Sequence, residues 1–303
     1  MDNETGNMAS KKEQKIHLIT GKGGVGKSTV AAAMAIALAR AGKKTLLVEL
    51  GERGFYSYTW GQQFQFHPLS VMPNLFISRW SGEECLKEYF THLIRVPQLV
   101  NLIFDNKIMK SLIQAAPALN ELSVLGKLTS GIRGVGPDFD FDHIVLDAPA
   151  SGHFKAMLNA PKGMVEVISM GPMGDQSRAI HQVMTNDKFT QIIIVALPEE
   201  LPVTEGLELA TFLEKEFHQQ PQIILNKCLN PGVSLEELKH LTQSEPQLPM
   251  PQTLLQLLTK TEQFSEQIKN STGQLQRLEY LLLPTSVELF EVLAHQMGTL
   301  VNV

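Results

Sequence analysis

Residues 21–29 read GKGGVGKST, and the fold is decided by what stands on either side of them. Before them, KIHLIT (15–20) is a short apolar run rich in β-branched residues that ends at a glycine, the pattern of a strand buried on both faces. After them, Ser28–Ala41 is alanine-rich and carries Met34, Ile36 and Leu38, a good helix closed by Gly42. A strand, then G-x-x-x-x-G-K-S, then a helix is the setting that makes a loose glycine pattern specific. Glycines let the backbone fold so that successive N–H groups face phosphate oxygens, and the helix start adds its positive dipole end. Gly21, Lys22, Gly23, Gly24, Val25, Gly26 and Thr29 would form or flank that cradle. Lys27 would reach the outer phosphates, and the Ser28 hydroxyl would hold magnesium. The pattern predicts binding of ATP or GTP. One lysine satisfies it, so Lys22 is a second cation at the near edge of the loop.

The pattern of the first strand recurs. KTLLVEL (44–50), HIVLDAP (143–149), QIIIVALP (191–198), PQIILNK (221–227) and LEYLLLP (278–284) are apolar runs of strand length. Helical-period stretches such as Val203–Phe217 and Ser286–Met297 lie between most of them. Alternation of this kind predicts an α/β fold, a mostly parallel sheet with helices on both faces. From about 81 to 131 the alternation breaks into a helical insertion, with Leu99, Leu102, Ile103, Phe104, Ile108, Met109, Leu112 and Ile113 as its apolar residues. We read 15–303 as a single domain and the polar segment 1–14 as a disordered tail. The acidic run at 138–142 reads as a solvated turn before a strand.

Composition excludes several classes. The chain has 303 residues, 43% hydrophobic and 19% charged, a globular balance. A net charge of -5 gives no electrostatic reason to bind nucleic acid. The apolar run Val30–Ala39 is too short to span a bilayer and the N-terminus is no secretory signal, so the expected location is cytoplasmic. Cys85 and Cys228 form no C-x-x-C, so no zinc site is written here.

GKGGVGKST resembles the deviant phosphate loop shared by ArsA-type ATPases, the cell-division-site ATPase MinD, chromosome-partition ATPases and nitrogenase iron protein. In that family a signature lysine crosses a dimer interface to the phosphates held by the other subunit, a role the resemblance gives to Lys22. FDHIVLDAPASGH (141–153) resembles the second switch of ArsA-type ATPases, which places Asp147 near magnesium. VALPEELPVTEG (195–206) resembles the segment after the next strand, and ILNK (224–227) matches an adenine-contacting position, so Asn226 is the candidate for reading the base. LLLPTSVELFEVL (281–293) matches the last strand and helix, with Pro284 and Thr285 near the base. The resemblance, to the arsenite-pump and tail-anchored-protein targeting ATPases, runs from about 15 to 299. It implies a P-loop NTPase fold with ATP and Mg2+, working as a dimer with itself or with a related chain.

Two departures qualify what it implies. Relatives carry Asp-Pro-Ala-His after the second strand, with the aspartate orienting the attacking water; in VELGERGFYSYTWG (48–61) that position falls at Gly51. Glu49 lines up with a strand-end acid that would assist magnesium, and Glu52 is the nearest acid that would position water. The chain is therefore either a hydrolysing switch that acts on a protein partner, client or transport process, or a nucleotide-binding regulatory subunit with little hydrolysis of its own, such as half of a heterodimer. A partition or positioning ATPase is a third reading, disfavoured by the charge balance and by a C-terminal segment without lysine or arginine. The second departure is cysteine: Cys85 and Cys228 cannot close a dimer through zinc or supply a three-thiol arsenite site. The apolar positions of the insertion fit first a packed core and dimer contact, with a groove for a hydrophobic client or membrane-protein partner as the alternative.

Overall fold

The structure, a computed structural model, describes residues 14–51, 54–94, 97–106, 117–136, 139–168 and 170–298. Residues 1–13 of the proposed tail, Glu52, and Ile108, Met109, Leu112 and Ile113 of the insertion lie outside the described residues. Gln14 is no part of a disordered tail: it is buried, and its amide donates to the Phe139 and Phe141 carbonyls at 3.2 and 3.1 Å. The chain folds as β1 (Lys15–Gly21), α1 (Lys27–Arg40), β2 (Thr45–Leu50), α2 (Phe55–Trp60), β3 (Leu69–Met72) and β4 (Leu75–Trp80). Helices α3 (Gly82–Ile94), α4 (Pro97–Asp105), α5 (Pro117–Leu128) and α6 (Ser130–Arg133) follow. Then come β5 (His143–Ala150), α7 (Ser151–Val167), α8 (Pro172–Met184), β6 (Thr190–Ala196), α9 (Glu200–Phe217) and β7 (Gln222–Cys228). The chain closes with α10 (Leu235–Ser244), α11 (Pro249–Thr272), β8 (Leu275–Glu279) and α12 (Val287–Gln296).

The strands form one eight-stranded sheet in the order β3-β4-β2-β5-β1-β6-β7-β8, parallel throughout except for β3 against β4. It is an α/β P-loop NTPase fold. Its strands are apolar on both faces, and successive residues go to opposite layers. Ile16, Leu18, Leu46, Val48, Ile192 and Ile194 pack with α5, α7, α8 and α9, whereas Ile19, Leu47, Ile193 and Val195 pack with α1 and α12. Every residue of α1 from Val30 to Ala39 is buried, because alanine side chains let this helix lie between the sheet on one side and Phe290, Leu293 and Ala294 of α12 on the other.

The sheet departs from expectation at its edges. LEYLLLP was read as the last strand, but β8 ends at Glu279, and Tyr280 and Leu282 are exposed. An edge strand has one open flank, so β8 is built on polar pairs: Arg277 binds Glu262 of α11 at 2.5 and 2.6 Å, and Gln276 donates to the Gln296 carbonyl at 2.7 Å. The pair β3–β4 went unread, since Ser78 and Arg79 interrupt the apolar run that marks the central strands. The acidic run is no solvated turn: Phe141 is buried, packs edge-on to Phe76 with ring centroids 5.5 Å apart, and stands beside Asp142, whose Oδ2 accepts from the Lys44 backbone N–H at 2.8 Å. In the helical region, Phe104 is buried with Leu86 and Val100, while Leu102 is 70% exposed. Among the described residues no helix is long and apolar enough to cross a membrane.

Candidate nucleotide site

Parallel strands bring their carboxyl ends to one edge of the sheet. There β1 delivers the phosphate loop, β2 delivers Glu49, β5 delivers Asp147 and β7 delivers Asn226. The loop leaves β1 through Gly21 at φ 144°, where a Cβ would lie 2.1 Å from the Val195 carbonyl oxygen of β6, so no side chain fits. It enters α1 through Gly26 at φ 94°, and a Cβ there would meet Asn226 Nδ2 at 2.5 Å. Between them Gly23 and Gly24 are exposed and Val25 is buried. The first turn of α1 has no side-chain cap and no acidic residue, which leaves its N–H groups available to an anion.

Asn226 reaches the loop because β7 is irregular at this point. Its register with β8 shifts between Leu225 and Cys228, and Lys227 adopts a left-handed φ of 56°. The buried Asn226 amide then donates to the Val25 carbonyl at 2.9 Å. Asn226 thus ties β7 to the phosphate loop. Pro284 and Thr285 are exposed on the segment that leads into α12.

Lys27 donates to the Lys22 carbonyl at 3.0 Å, spanning the loop. Burial lowers its pKa, opposed by Asp147. Burial likewise pushes Asp147 up to about 6, against the pull of the Ser28 hydroxyl, the Lys27 ammonium and the Tyr56 hydroxyl. The fully buried Tyr56 hydroxyl lies 3.1 Å from the Ser28 carbonyl oxygen and 3.3 Å from Asp147 Oδ2. Glu49 is pushed up to about 7, first by burial and then by Asp147, with the Phe55 N–H and Arg79 opposing. Its Oε1 accepts from the Phe55 N–H at 2.7 Å, but its buried Oε2 has no hydrogen-bond partner. A buried carboxylate oxygen left bare beside a second carboxylate and a serine hydroxyl is an all-oxygen donor set, which suits a hard divalent cation. Ser28, Asp147 and Glu49 therefore fit Mg2+.

Lys22 does not stand idle. Its ammonium pairs with Glu205 of α9, and the other Glu205 oxygen accepts from the Ser151 hydroxyl, 3.4 Å away at the start of α7. Gly51 has φ 85° and donates its N–H to the Trp80 carbonyl at 3.0 Å. It borders a hollow of about 390 Å³ that is also lined by Pro149 and His153 of the β5–α7 segment and by Gly82, Asn120 and Val124 of the helical region. Cys85 and Cys228 are both buried, and burial raises their thiols to about 12 and about 11, so both stay protonated. Tyr56 and Glu205 went unnoticed in the sequence. Tyr56 sits inside the GFYSYTW stretch that was read only for acids, and Glu205 lies inside the VALPEELPVTEG match without a motif position of its own.

The family model of anion-transporting ATPases, ArsA_ATPase, matches residues 14–171, about half of the chain, and takes in the loop, Glu49 and Asp147. The chain is 28% identical to ATPase BagA of Mycobacterium tuberculosis over 244 residues, which cover 76% of this chain and 70% of that protein. It is 26% identical to an arsenical pump-driving ATPase of Escherichia coli over 208 residues, 68% of this chain and only 33% of that longer protein. With putative arsenical pump-driving ATPase 2 of Aquifex aeolicus it shares 24% identity over 256 residues, 74% of this chain and 84% of that one. On the phosphate loop, the sheet order and this match, the chain belongs to the ArsA family of anion-transporting ATPases.

Proposed function

We propose that this protein binds ATP with Mg2+, hydrolyses it, and works as a dimeric switch that passes its nucleotide state to a protein partner. The observation that carries the reading is the bare Glu49 oxygen beside Asp147 and Ser28, directly behind a loop whose lysine and helix N-terminus await an anion. The chain's own groups divide the work. The first-turn N–H groups of α1 and Lys27 hold and orient the phosphates, and Lys27 carries positive charge to where negative charge develops. Ser28, Asp147 and Glu49 would hold the cation, which would supply charge neutralisation at the outer phosphates. Tyr56 fixes the Asp147 carboxylate and the first turn of α1 relative to each other. Asn226 is the candidate for the base.

Lys22 is the trans-acting group of this reading. Its partner Glu205 keeps the ammonium beside the loop without committing it to the loop's own phosphates. Closure of a second copy or of a related chain would offer Lys22 the other subunit's γ-phosphate. The hollow between Gly51, Pro149 and His153 and the helical region is the route by which loss of that phosphate would move α3 and α5. The partner there would be a hydrophobic client or a membrane protein. Purified protein given Mg·ATP should release phosphate and shift from monomer to dimer in size measurement. Lys22→Ala should spare ATP binding and lose the dimer. Loss of binding by the monomer would place Lys22 in cis and overturn the account.

Gly51 favours a second reading. Gly51 itself stands where the resemblance places a water-orienting aspartate, and its left-handed φ disfavours most side chains there. Under it the chain binds nucleotide as a regulatory subunit and turns over little unless a related chain completes the pair. Phosphate release from the purified chain alone separates the two readings.

A further inference from the structure

A second chemistry-bearing cavity lies away from the nucleotide edge. It is enclosed by α3, α5, α6 and α8 and holds about 270 Å³, near the lower end of the roughly 300–1,000 Å³ typical of small-molecule sites. Its walls are mostly apolar, supplied by Leu86, Phe90, Leu119, Leu122 and Ile180. Two cations face it, and they differ in how they are neutralised. Lys127 pairs with the Glu88 carboxylate at 2.5 Å and lies over the rings of Phe66 and Trp80, 4.3 and 5.1 Å from their centroids. Arg133 has only neutral acceptors: Nε donates to Thr129 Oγ1 at 2.8 Å, one terminal nitrogen to the Gly126 carbonyl at 2.7 Å, and the other to Gln176 Oε1.

A guanidinium has five N–H donors, so these contacts leave two for another acceptor. Burial works against its charge, lowering its pKa, and among the described residues no carboxylate pairs with it. A half-buried cation without a counter-charge, set in the wall of an apolar cavity, calls for an anion that brings its own apolar body. The Glu88–Lys127 pair is already balanced, so the unmatched charge of the lining is the single positive charge of Arg133. We propose that this cavity is a binding site for a linear amphiphilic monoanion, a carboxylate of medium chain length whose head meets Arg133 and whose chain lies between α3, α5 and α8. The site is separate from the nucleotide reading and stands whether or not the protein hydrolyses ATP.

Decanoate and its neutral counterpart decanol are the probes, titrated into the purified full chain by calorimetry, with ATP binding measured alongside as the check of folding. Decanoate should bind one to one, and decanol at least tenfold more weakly. Arg133→Gln should erase the difference between them; Arg133→Lys, which keeps the charge, should retain it and serves if the glutamine variant does not fold. Ser123→Leu should fill the cavity and abolish binding of both, because the Ser123 hydroxyl bonds only within its own helix, to the Leu119 carbonyl. Equal affinity for the two probes would overturn the role of Arg133. Decanoate binding that survives Ser123→Leu would overturn the site, and so would absence of decanoate binding to the unaltered chain.

Discussion

The two ends of strands β1 and β5 both hold polar groups away from water and use them in opposite ways. At the amino ends, His17 and His143 stack with ring centroids 5.1 Å apart, and His17 Nε2 lies 2.8 Å from His143 Nδ1. His17 Nδ1 lies 2.8 Å from Gln191 Oε1, so both nitrogens of that ring are satisfied within the protein. Burial holds both imidazoles well below their ordinary pKa, and they stay neutral. At the carboxyl ends, burial acts on Asp147 and on Glu49 of the neighbouring β2 in the same sense, against charge, but there one oxygen is left bare. A buried polar cluster that closes on itself holds the sheet together. One left open by a single atom is a site for something else.

The largest effects should fall on the open end alone. Lys27→Ala should abolish ATP binding, and Asp147→Asn should cut phosphate release by roughly 10²-fold or more, the scale of losing one preorganised charge at a reacting phosphate. His17→Gln should leave turnover unchanged. Turnover that falls as far in the histidine variant as in Asp147→Asn would erase the distinction between the two ends.

Protons should compete with the cation at the open end. Asp147 and Glu49 are pushed up to about 6 and about 7, so Mg2+ affinity in the presence of ADP should fall by up to about tenfold per pH unit per carboxylate as pH drops through that range. Titration calorimetry from pH 8 to pH 5 reads this, and Glu49→Gln should flatten the upper part of the curve. A profile with no slope above pH 5 would mean that neither carboxylate meets the cation.

The same shifts give the two ends opposite pH dependences of stability. The histidines' folded pKa values are depressed, so their contribution is present above about 6.5 and is lost as pH falls, by up to about 1.4 kcal/mol per pH unit for each ring that must be protonated. The carboxylates' folded values are raised, so theirs is present below the ordinary carboxylate pKa and is lost as pH rises through about 6 to 7. Denaturant unfolding without nucleotide should separate them: the double change His17→Gln with His143→Gln removes the acid limb, and Glu49→Gln weakens the alkaline one. An acid limb that persists in the double variant would assign it elsewhere.

The open end was legible in the sequence, and the closed end was not. Glycine, lysine and serine at fixed spacing report a backbone shape and a charge, which is why GKGGVGKST located the loop, and the apolar runs around it located β1, β2, β5, β6 and β7. His17 and Gln191 carry no local pattern; they meet only because β1 lies beside both β5 and β6, and strand order is not written in any one segment. Glu205 is hidden for the same reason, since its partner Lys22 stands 183 residues away in the chain. The edge strands β3 and β8 escaped because one open flank removes the continuous apolar run that marks a central strand, and β4, paired on both sides, escaped because Ser78 and Arg79 interrupt its run. Tyr56 carries no motif position of its own, and its part in the site lies in a contact 91 residues away along the chain, its hydroxyl 3.3 Å from Asp147 Oδ2.

The smallest expected effect tests the weakest point of the open end, Gly51. A Cβ built there meets no atom within 4 Å, so the obstacle to a carboxylate is the backbone and not space. At φ 85° an aspartate costs about 1 kcal/mol, less than a β-branched residue would, because Asp tolerates left-handed backbone. Gly51→Asp should therefore lower Tm by only about 2–4 °C in a chain of this size. Its side chain would enter the hollow shared with Pro149 and His153, beside the segment that follows Asp147. If hydrolysis is limited by poor orientation of the attacking water, phosphate release should rise severalfold while ATP affinity stays level. A variant that loses the expected stability and gains no turnover would show that water is oriented from elsewhere, and Gly51 would then be a turn residue at the end of β2 with no part in the reaction.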